Sequence, residues 1–391
     1  MEKQLNLGVL IPNLDNGFSF SKKLLISELA EKYNSKIFVL SGNQNKAGFF
    51  DEEKLIYLNL DITSSFLKIP INYYNNINEL KDLKRKYRIN KTISFGKKAN
   101  ILNALSRTND EIILNIEKTY DDSFVLEKFL KGIYKKADKI VTGTKRNRDY
   151  ILDQYKFNKE NVFVMENILP IDQISEEAAV EVEDNLKDFF EYKVLINYGR
   201  LTKDKGQWHL IKAFFRIKEK VNNVKLLILG EGPLYKELND LIKSMNMEED
   251  IKIIDRFDNP YKYLIRSDIF VLSSHNKESK DRVLDAMACA RPIISTTSSD
   301  EIIKLLSPSN YVKNINEPFL GEYGILVPVA GNSLNTSSKV LNKKEVILSD
   351  AIFKLLNDYE IYDEYMEQAA KRAVDYSAEN IVAQWVEALE K

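Results

Sequence analysis

Asn197-Tyr198-Gly199-Arg200-Leu201-Thr202-Lys203-Asp204-Lys205-Gly206-Gln207 is the stretch whose reading decides the fold. The apolar run that opens at Lys193 reads as a buried strand ending at Gly199. Beyond Gly206, Trp208, Ile211, Phe214, Phe215 and Ile217 recur with helical spacing and give one apolar stripe. The unit is strand, short polar loop, helix. In an open parallel sheet such a loop lies at the carboxyl end of a strand, where ligands bind. The helix start adds unpaired N–H groups and a partial positive charge. Arg200 and Lys205 add two full charges on the same loop, a combination that suits a diphosphate. Taken alone, such a loop is more often a solvated basic turn, and the segments around it reverse that reading.

Those segments lie in a chain of 391 residues, long enough for two domains. A charged fraction of 29% and a net charge of -1 give no bulk attraction for nucleic acid. One cysteine, Cys289, excludes a disulfide framework, and with two histidines it argues against a zinc site; no metal is expected. No signal peptide is recognised, and no run approaches the roughly 20 apolar residues of a membrane span. The expectation is a cytoplasmic protein, peripheral at most at the inner face of the plasma membrane.

In the first half, short apolar runs at Leu5–Ile11, Lys36–Leu40, Leu55–Leu60, Lys91–Phe95, Glu111–Leu114, Asp138–Val141 and Asn161–Met165 read as strands. Helical stretches separate most of them. Pro12–Gly17 carries turn residues, and Ser19 or Ser21 can cap the helix that follows, with Leu24, Leu25, Leu29 and Ala30 inward. Basic residues crowd Lys128–Arg148, including Lys131, Lys135, Lys136, Lys139, Lys145 and Arg146. They read as a solvated helix face or as a contact for an anionic membrane surface. The acidic stretch from Ile174 to Glu191 reads as a linker. The expected division is 1–175, linker 176–192, and 193–375, with a last helix, 376–391, packing back on the first domain.

In the second half each candidate ligand group follows a strand. Arg200 and Lys205 follow the first, Gly230-Glu-Gly-Pro233 the second, Arg256 to Pro260 the third, Ser273 to Glu278 the fourth and Thr296 to Asp300 the fifth. Stretches 307–322 and 331–344 read as surface loops. Glu278 and Asp285 stand seven residues apart, about two helical turns, and so share a face. Paired carboxylates accept hydrogen bonds from vicinal sugar hydroxyls. Leu284, Ala286, Met287 and Ala288 around Asp285 make a plain surface carboxylate less comfortable.

Gly199-Arg-Leu-Thr-x-x-Lys-Gly-Gln207, Leu229-Gly-Glu-Gly-Pro-Leu234, Asn259-Pro-Tyr-Lys-Tyr263, Asp268 to Ser274 and Asp285-Ala-Met-Ala-Cys-Ala-Arg-Pro-Ile-Ile294 come in that order. Together they resemble the nucleotide-binding half of the family-4 retaining glycosyltransferases. Tyr323 to Pro328 and Tyr376 to Trp385 are similar to the same family's ending. The resemblance implies an α/β chain of GT-B fold: two Rossmann-like, doubly wound parallel-sheet domains facing a cleft. It implies transfer of a hexose or N-acetylhexosamine, with retention and without metal or other cofactor, from a nucleotide sugar, taken as a UDP-sugar. The acceptor would be a glycan or a lipid-linked glycan of a bacterial surface polymer. By the same resemblance Arg200 and Lys205 hold the diphosphate, Glu278 meets the hexose, Asp285 the ribose and the backbone at Phe257 the base. Gly17, Gly199, Gly230, His275, Ser279 and Lys280 complete the donor site, with Glu117 and Lys118 toward the acceptor.

Three departures stand out. The carboxylate pair is one residue closer than usual, with Asp285 in place of Glu and Ser279-Lys280-Asp281 in place of small residues. Arg291 follows Ala290 where the family usually has Gly. The first half has no His, because the two histidines are His209, read as structural, and His275. The alternative these departures motivate is a non-catalytic homologue that binds glycan or pairs with an active transferase.

Overall fold

The computed structural model describes residues 5–14, 19–41, 49–58, 69–117, 124–276, 280–331 and 340–391. The chain forms two compact units, Met1–Ile168 with Tyr376–Lys391, and Leu169–Asp375.

The first unit runs β1 (Asn6–Ile11), α1 (Phe20–Lys32), β2 (Asn34–Val39), β3 (Leu55–Tyr57), α2 (Ile69–Lys86), β4 (Lys91–Phe95), α3 (Lys97–Leu105), β5 (Glu111–Asn115), α4 (Phe124–Tyr134), β6 (Lys139–Thr142), α5 (Lys145–Tyr155) and β7 (Val162–Val164). Its seven strands lie in the order β3-β2-β1-β4-β5-β6-β7, all parallel. Parallel strands covered on both faces are apolar throughout, which is why Leu7, Val9, Leu10 and Ile11 are all buried. Ser19 occupies the cap position of α1 but makes no side-chain cap bond, and Leu25, Ile26, Leu29 and Ala30 are the buried residues of that helix. Leu24, expected inward, is only half-buried.

The second unit runs α6 (Ile171–Ala178), β8 (Lys193–Tyr198), α7 (Gln207–Lys218), β9 (Val224–Leu229), α8 (Tyr235–Ser244), β10 (Ile251–Ile254), α9 (Tyr261–Leu264), β11 (Ile269–Leu272), α10 (Asp281–Ala288), β12 (Ile293–Thr296), α11 (Asp300–Leu306), β13 (Phe319–Leu320), β14 (Ile325–Val327), α12 (Lys343–Asn357) and α13 (Tyr359–Val374). The order is β10-β9-β8-β11-β12-β14-β13, with β13 antiparallel to β14. The stretch 307–322, expected as surface loop, therefore contributes one short edge strand.

The expected linker also changes character. Residues 176–192 hold the end of α6 and a 3-10 segment, Asp184–Glu191, within the second unit. Val182, Leu186 and Phe189 recur three to four residues apart and are buried, so the acidic side chains sit on a solvated face of a packed segment. The unit boundary falls instead at Ile168 and Leu169.

α14 (Ala378–Glu390) returns to the first unit, where Ile381, Trp385 and Leu389 join the core around β1, β4 and β5. The Trp385 ring lies 6.0 Å from Phe95.

The buried part of the first unit also holds a polar seam that composition does not suggest. Lys84 and Asp110 form a fully buried ion pair at 2.8 Å. Thr92 Oγ1 and Thr108 N donate to the same carboxylate, and Lys84 Nζ also donates to Asn103. Asn103 and Asn100 of α3 continue the seam to Ser94 and to the Asn115 carbonyl.

Candidate functional site

In the second sheet the strand order reverses between β8 and β11, so the connections from these two strands leave on opposite faces and open a crevice at their carboxyl ends. The loop from Gly199 to Gly206 and the turn Ser273-Ser274-His275 together fill one side of it, in contact with each other. Glycine makes this closeness feasible. A Cβ at Gly206, where φ is 63°, would lie 2.5 Å from the Ser273 carbonyl oxygen. A Cβ at Gly230 would lie 2.0 Å from the Gly199 oxygen, where no side chain fits.

Hydrogen bonds then lock three loops together. Gly199 N donates to Leu229 O at 2.9 Å and Leu201 N to Glu231 O at 2.8 Å. His275 N donates to Asp204 O, and Ser273 Oγ to Lys205 O, both at 3.0 Å. Gln207 Nε2 donates to Arg200 O at 3.2 Å, which fixes the backbone that carries Arg200. The guanidinium itself is exposed and has no carboxylate partner among the described residues. Lys205 is half-buried on the same loop, and Gly206 opens α7 directly behind it.

The other wall is α10. Lys280 is its cap residue, and Arg282 stacks over the Tyr198 ring at 5.6 Å, its Nε 3.2 Å from where a Gly199 side chain would begin. Asp285 faces the sheet, where its Oδ2 accepts a hydrogen bond from Tyr198 OH. Tyr261, at the start of α9, bonds the same carboxylate. Lost solvation dominates here and pushes the Asp285 carboxyl up to about 6, although both phenols and Arg282 favour its charged form. Burial and the neighbouring carboxylate push both tyrosines up in turn.

Gly199, Arg200, Lys205, Gly230, His275, Lys280 and Asp285 thus gather at the carboxyl edge of this sheet. Phe257 is half-buried in the loop after β10, at the same edge but beyond β9. Gly17, Lys118, Glu278 and Ser279 lie outside the described residues. Glu117 is in the first unit, exposed and paired with Lys22 at 2.5 Å. Tyr198, Tyr261, Arg282 and Gln207 were not read as site residues, although each sits inside or beside a quoted motif.

His209 is buried below the loop, with Nδ1 2.7 Å from Glu345 and Nε2 3.0 Å from the Gly331 carbonyl. In the basic stretch, Lys128, Lys135, Lys136, Lys145 and Arg146 are exposed. Lys139 does not belong to that face, because it is buried and paired with Glu111 at 2.6 Å. A cavity of about 460 Å³ lies elsewhere, among α6, α9 and α10, rather than at the loop cluster.

Residues 183–306 match the family described as Glycosyl transferases group 1. An uncharacterized glycosyltransferase of Methanocaldococcus jannaschii is 32% identical over 260 residues, 65% of this chain and 64% of that protein. An N-acetylgalactosamine-N,N'-diacetylbacillosaminyl-diphospho-undecaprenol 4-alpha-N-acetylgalactosaminyltransferase of Campylobacter jejuni is 29% identical over 243 residues, 59% of this chain and 64% of that protein. The chain thus matches just under two thirds of the length of each. Among solved structures, Anabaena HepE in complex with UDP superposes with a TM-score of 0.68 at 14% identity, covering 99% of this chain and 100% of HepE. The fold is that of the GT-B proteins, two Rossmann-like units in one chain.

Proposed function

We propose, from the match of residues 183–306 to the family described as Glycosyl transferases group 1, that this chain is a retaining, metal-independent glycosyltransferase. It moves a hexose or N-acetylhexosamine from a UDP-sugar to a glycan or lipid-linked acceptor in the synthesis of a bacterial surface glycoconjugate. The observation that carries the reading is the glycine-locked loop at the β8/β11 reversal, which carries the exposed Arg200 and the half-buried Lys205 and leads directly into α7.

In this reading the bond between the anomeric carbon and the leaving phosphate oxygen breaks. The acceptor oxygen bonds to the same carbon on the same face, and its proton passes to the departing phosphate oxygen. Arg200, Lys205 and the α7 amides meet the charge that develops on the departing diphosphate, a preorganised electrostatic role. Asp285 takes the ribose hydroxyls, Glu278 the hexose, and Phe257 lies toward the base. A relative and a structural neighbour support the details: the Campylobacter protein is named for a lipid diphosphate acceptor, and the Anabaena structure, of the same fold, contains UDP. The exposed cations Lys128, Lys135, Lys136, Lys145 and Arg146 would meet anionic headgroups at the inner membrane face. No helix among the described residues is long and apolar enough to cross a membrane.

The test is a thermal-shift screen against UDP, GDP, ADP and their sugar conjugates, because a ligand of the native state raises its stability by mass action. A shift with the UDP series that disappears in Arg200→Ala is the expected result. Absence of a shift with every nucleotide would overturn the donor site.

A further inference from the structure

The cavity among α6, α9 and α10 has about 460 Å³, within the range of small-molecule sites. Its wall is mostly aliphatic: Ile174, Ala178, Ile265, Ala288 and the thiol of Cys289. Ile265 at its edge is 38% exposed, a large aliphatic side chain left against water beside a concave surface of the same character. Arg266 is the one charged residue on the wall. Its Nη1 donates to the carbonyls of Ala178 at 3.1 Å and Lys262 at 2.8 Å. Those two bonds fix the guanidinium in place without neutralising it, and no carboxylate pairs with it among the described residues. A half-buried charge beside an apolar surface is costly unless an opposite charge reaches it.

Two separate needs meet at this place. Ile265 and the half-buried Ala288 gain by covering with hydrocarbon, and the guanidinium gains from an anion that takes two of its N–H groups. A nucleotide or sugar phosphate answers the second need and not the first. A neutral chain answers the first and leaves the charge. We propose that the cavity binds a single-chain anionic amphiphile, with its chain against Ile174, Ala178, Ile265 and Ala288 and its carboxylate or phosphate on Arg266. The site is separate from the donor loop and does not depend on the reading given to that loop.

Cys289 supplies the test. It is the only cysteine in the sequence, lines the cavity and is 2% exposed. It therefore reacts with a maleimide only when the region opens locally. A ligand of the closed form slows that reaction in proportion to its occupancy. The probes are dodecanoate, dodecyl phosphate and dodecanol, each below its aggregation limit, with the full chain. Either anion is expected to slow alkylation about tenfold at roughly ten times its dissociation constant, with dodecanol far weaker; the anion that protects at the lower concentration identifies the preferred head group. Ala178→Leu, which fills the cavity and leaves Arg266 in place, is expected to abolish the protection, and so is Arg266→Gln. Protection by dodecanol equal to that of the anions would overturn the role of Arg266. No protection by any probe, or full protection retained in folded Ala178→Leu, would overturn the site.

Discussion

The hydroxyl of Tyr198 donates to Oδ2 of Asp285, tying the last residue of β8 to the second turn of α10. The carboxylate is therefore held by the protein before any ligand arrives. It is also poorly solvated, and its pKa is raised from 3.8 to about 6. The folded state thus holds this proton more tightly than the unfolded state. The stabilisation that accompanies protonation is complete below about pH 4 and is lost as pH rises through about 6. A rise of that size corresponds to about 3 kcal/mol. Asp285→Asn is expected to raise stability at pH 7 by up to that amount and to flatten the change between pH 4 and 6. The same variant should lose nucleotide binding. Calorimetric melting of both proteins across that range checks the first effect, and the nucleotide thermal shift the second.

Gly206 tests whether the loop geometry matters. Its φ of 63° and the 2.5 Å approach of a Cβ to the Ser273 oxygen leave Ala no acceptable position. Gly206→Ala is expected to cost about 2 kcal/mol or more. It should also separate the β8 loop from the β11 loop, so that nucleotide binding falls even in the fraction that remains folded. Binding at saturating protein, measured at low temperature, distinguishes loss of the site from loss of the fold.

Ala290 carries the opposite prediction. It has φ of 54°, a left-handed conformation that a side chain disfavours. Arg291 holds it there by donating to the Cys289 and Ser267 carbonyls. Ala290→Gly is expected to stabilise the second unit by about 1 kcal/mol. A higher urea midpoint with unchanged slope would show it.

The architecture was legible because every central strand is an apolar run of four to six residues bounded by polar loops, as Lys193–Tyr198 and Ile269–Leu272 are. The donor loop was legible for a related reason: glycines at 199, 206 and 230 mark the close backbone approaches found there. What was not legible depends on partners distant in sequence. Tyr198 reads as one more strand residue until Asp285, 87 positions later, is placed above it. Lys139 reads as one of many surface lysines until Glu111 and the Ala388 carbonyl enclose it. The 184–191 segment misled through composition, because Asp184, Lys187, Asp188 and Glu191 surround the buried pair, Leu186 and Phe189, that fixes it.

Lys84 and Asp110 were invisible for the same reason, and they yield a stability prediction for the first unit. The pair is fully buried, and Thr92, Thr108 and Asn103 satisfy its remaining polar groups. Lys84→Met leaves the Asp110 carboxylate buried without its cation, and is expected to cost about 3–5 kcal/mol. Lys84→Met with Asp110→Asn should recover part of that loss, because the amide needs no counter-charge. Denaturation of the two variants side by side separates the charge effect from packing.

Arg200 separates fold from function most cleanly. Its side chain is exposed and unpaired among the described residues, so its removal disturbs no packing. Its backbone carbonyl is held by Gln207, a bond that Arg200→Ala keeps. The variant should therefore melt within about 0.5 kcal/mol of the parent. If the guanidinium meets charge that develops on a departing diphosphate, transfer should fall by about 10²–10³. The loss should appear in kcat as well as in KM, because the charge is larger in the transition state than in the bound donor. A change in KM alone would make Arg200 a binding group. Unchanged turnover would remove it from the reaction and leave Lys205 and the α7 amides as the remaining candidates for that role.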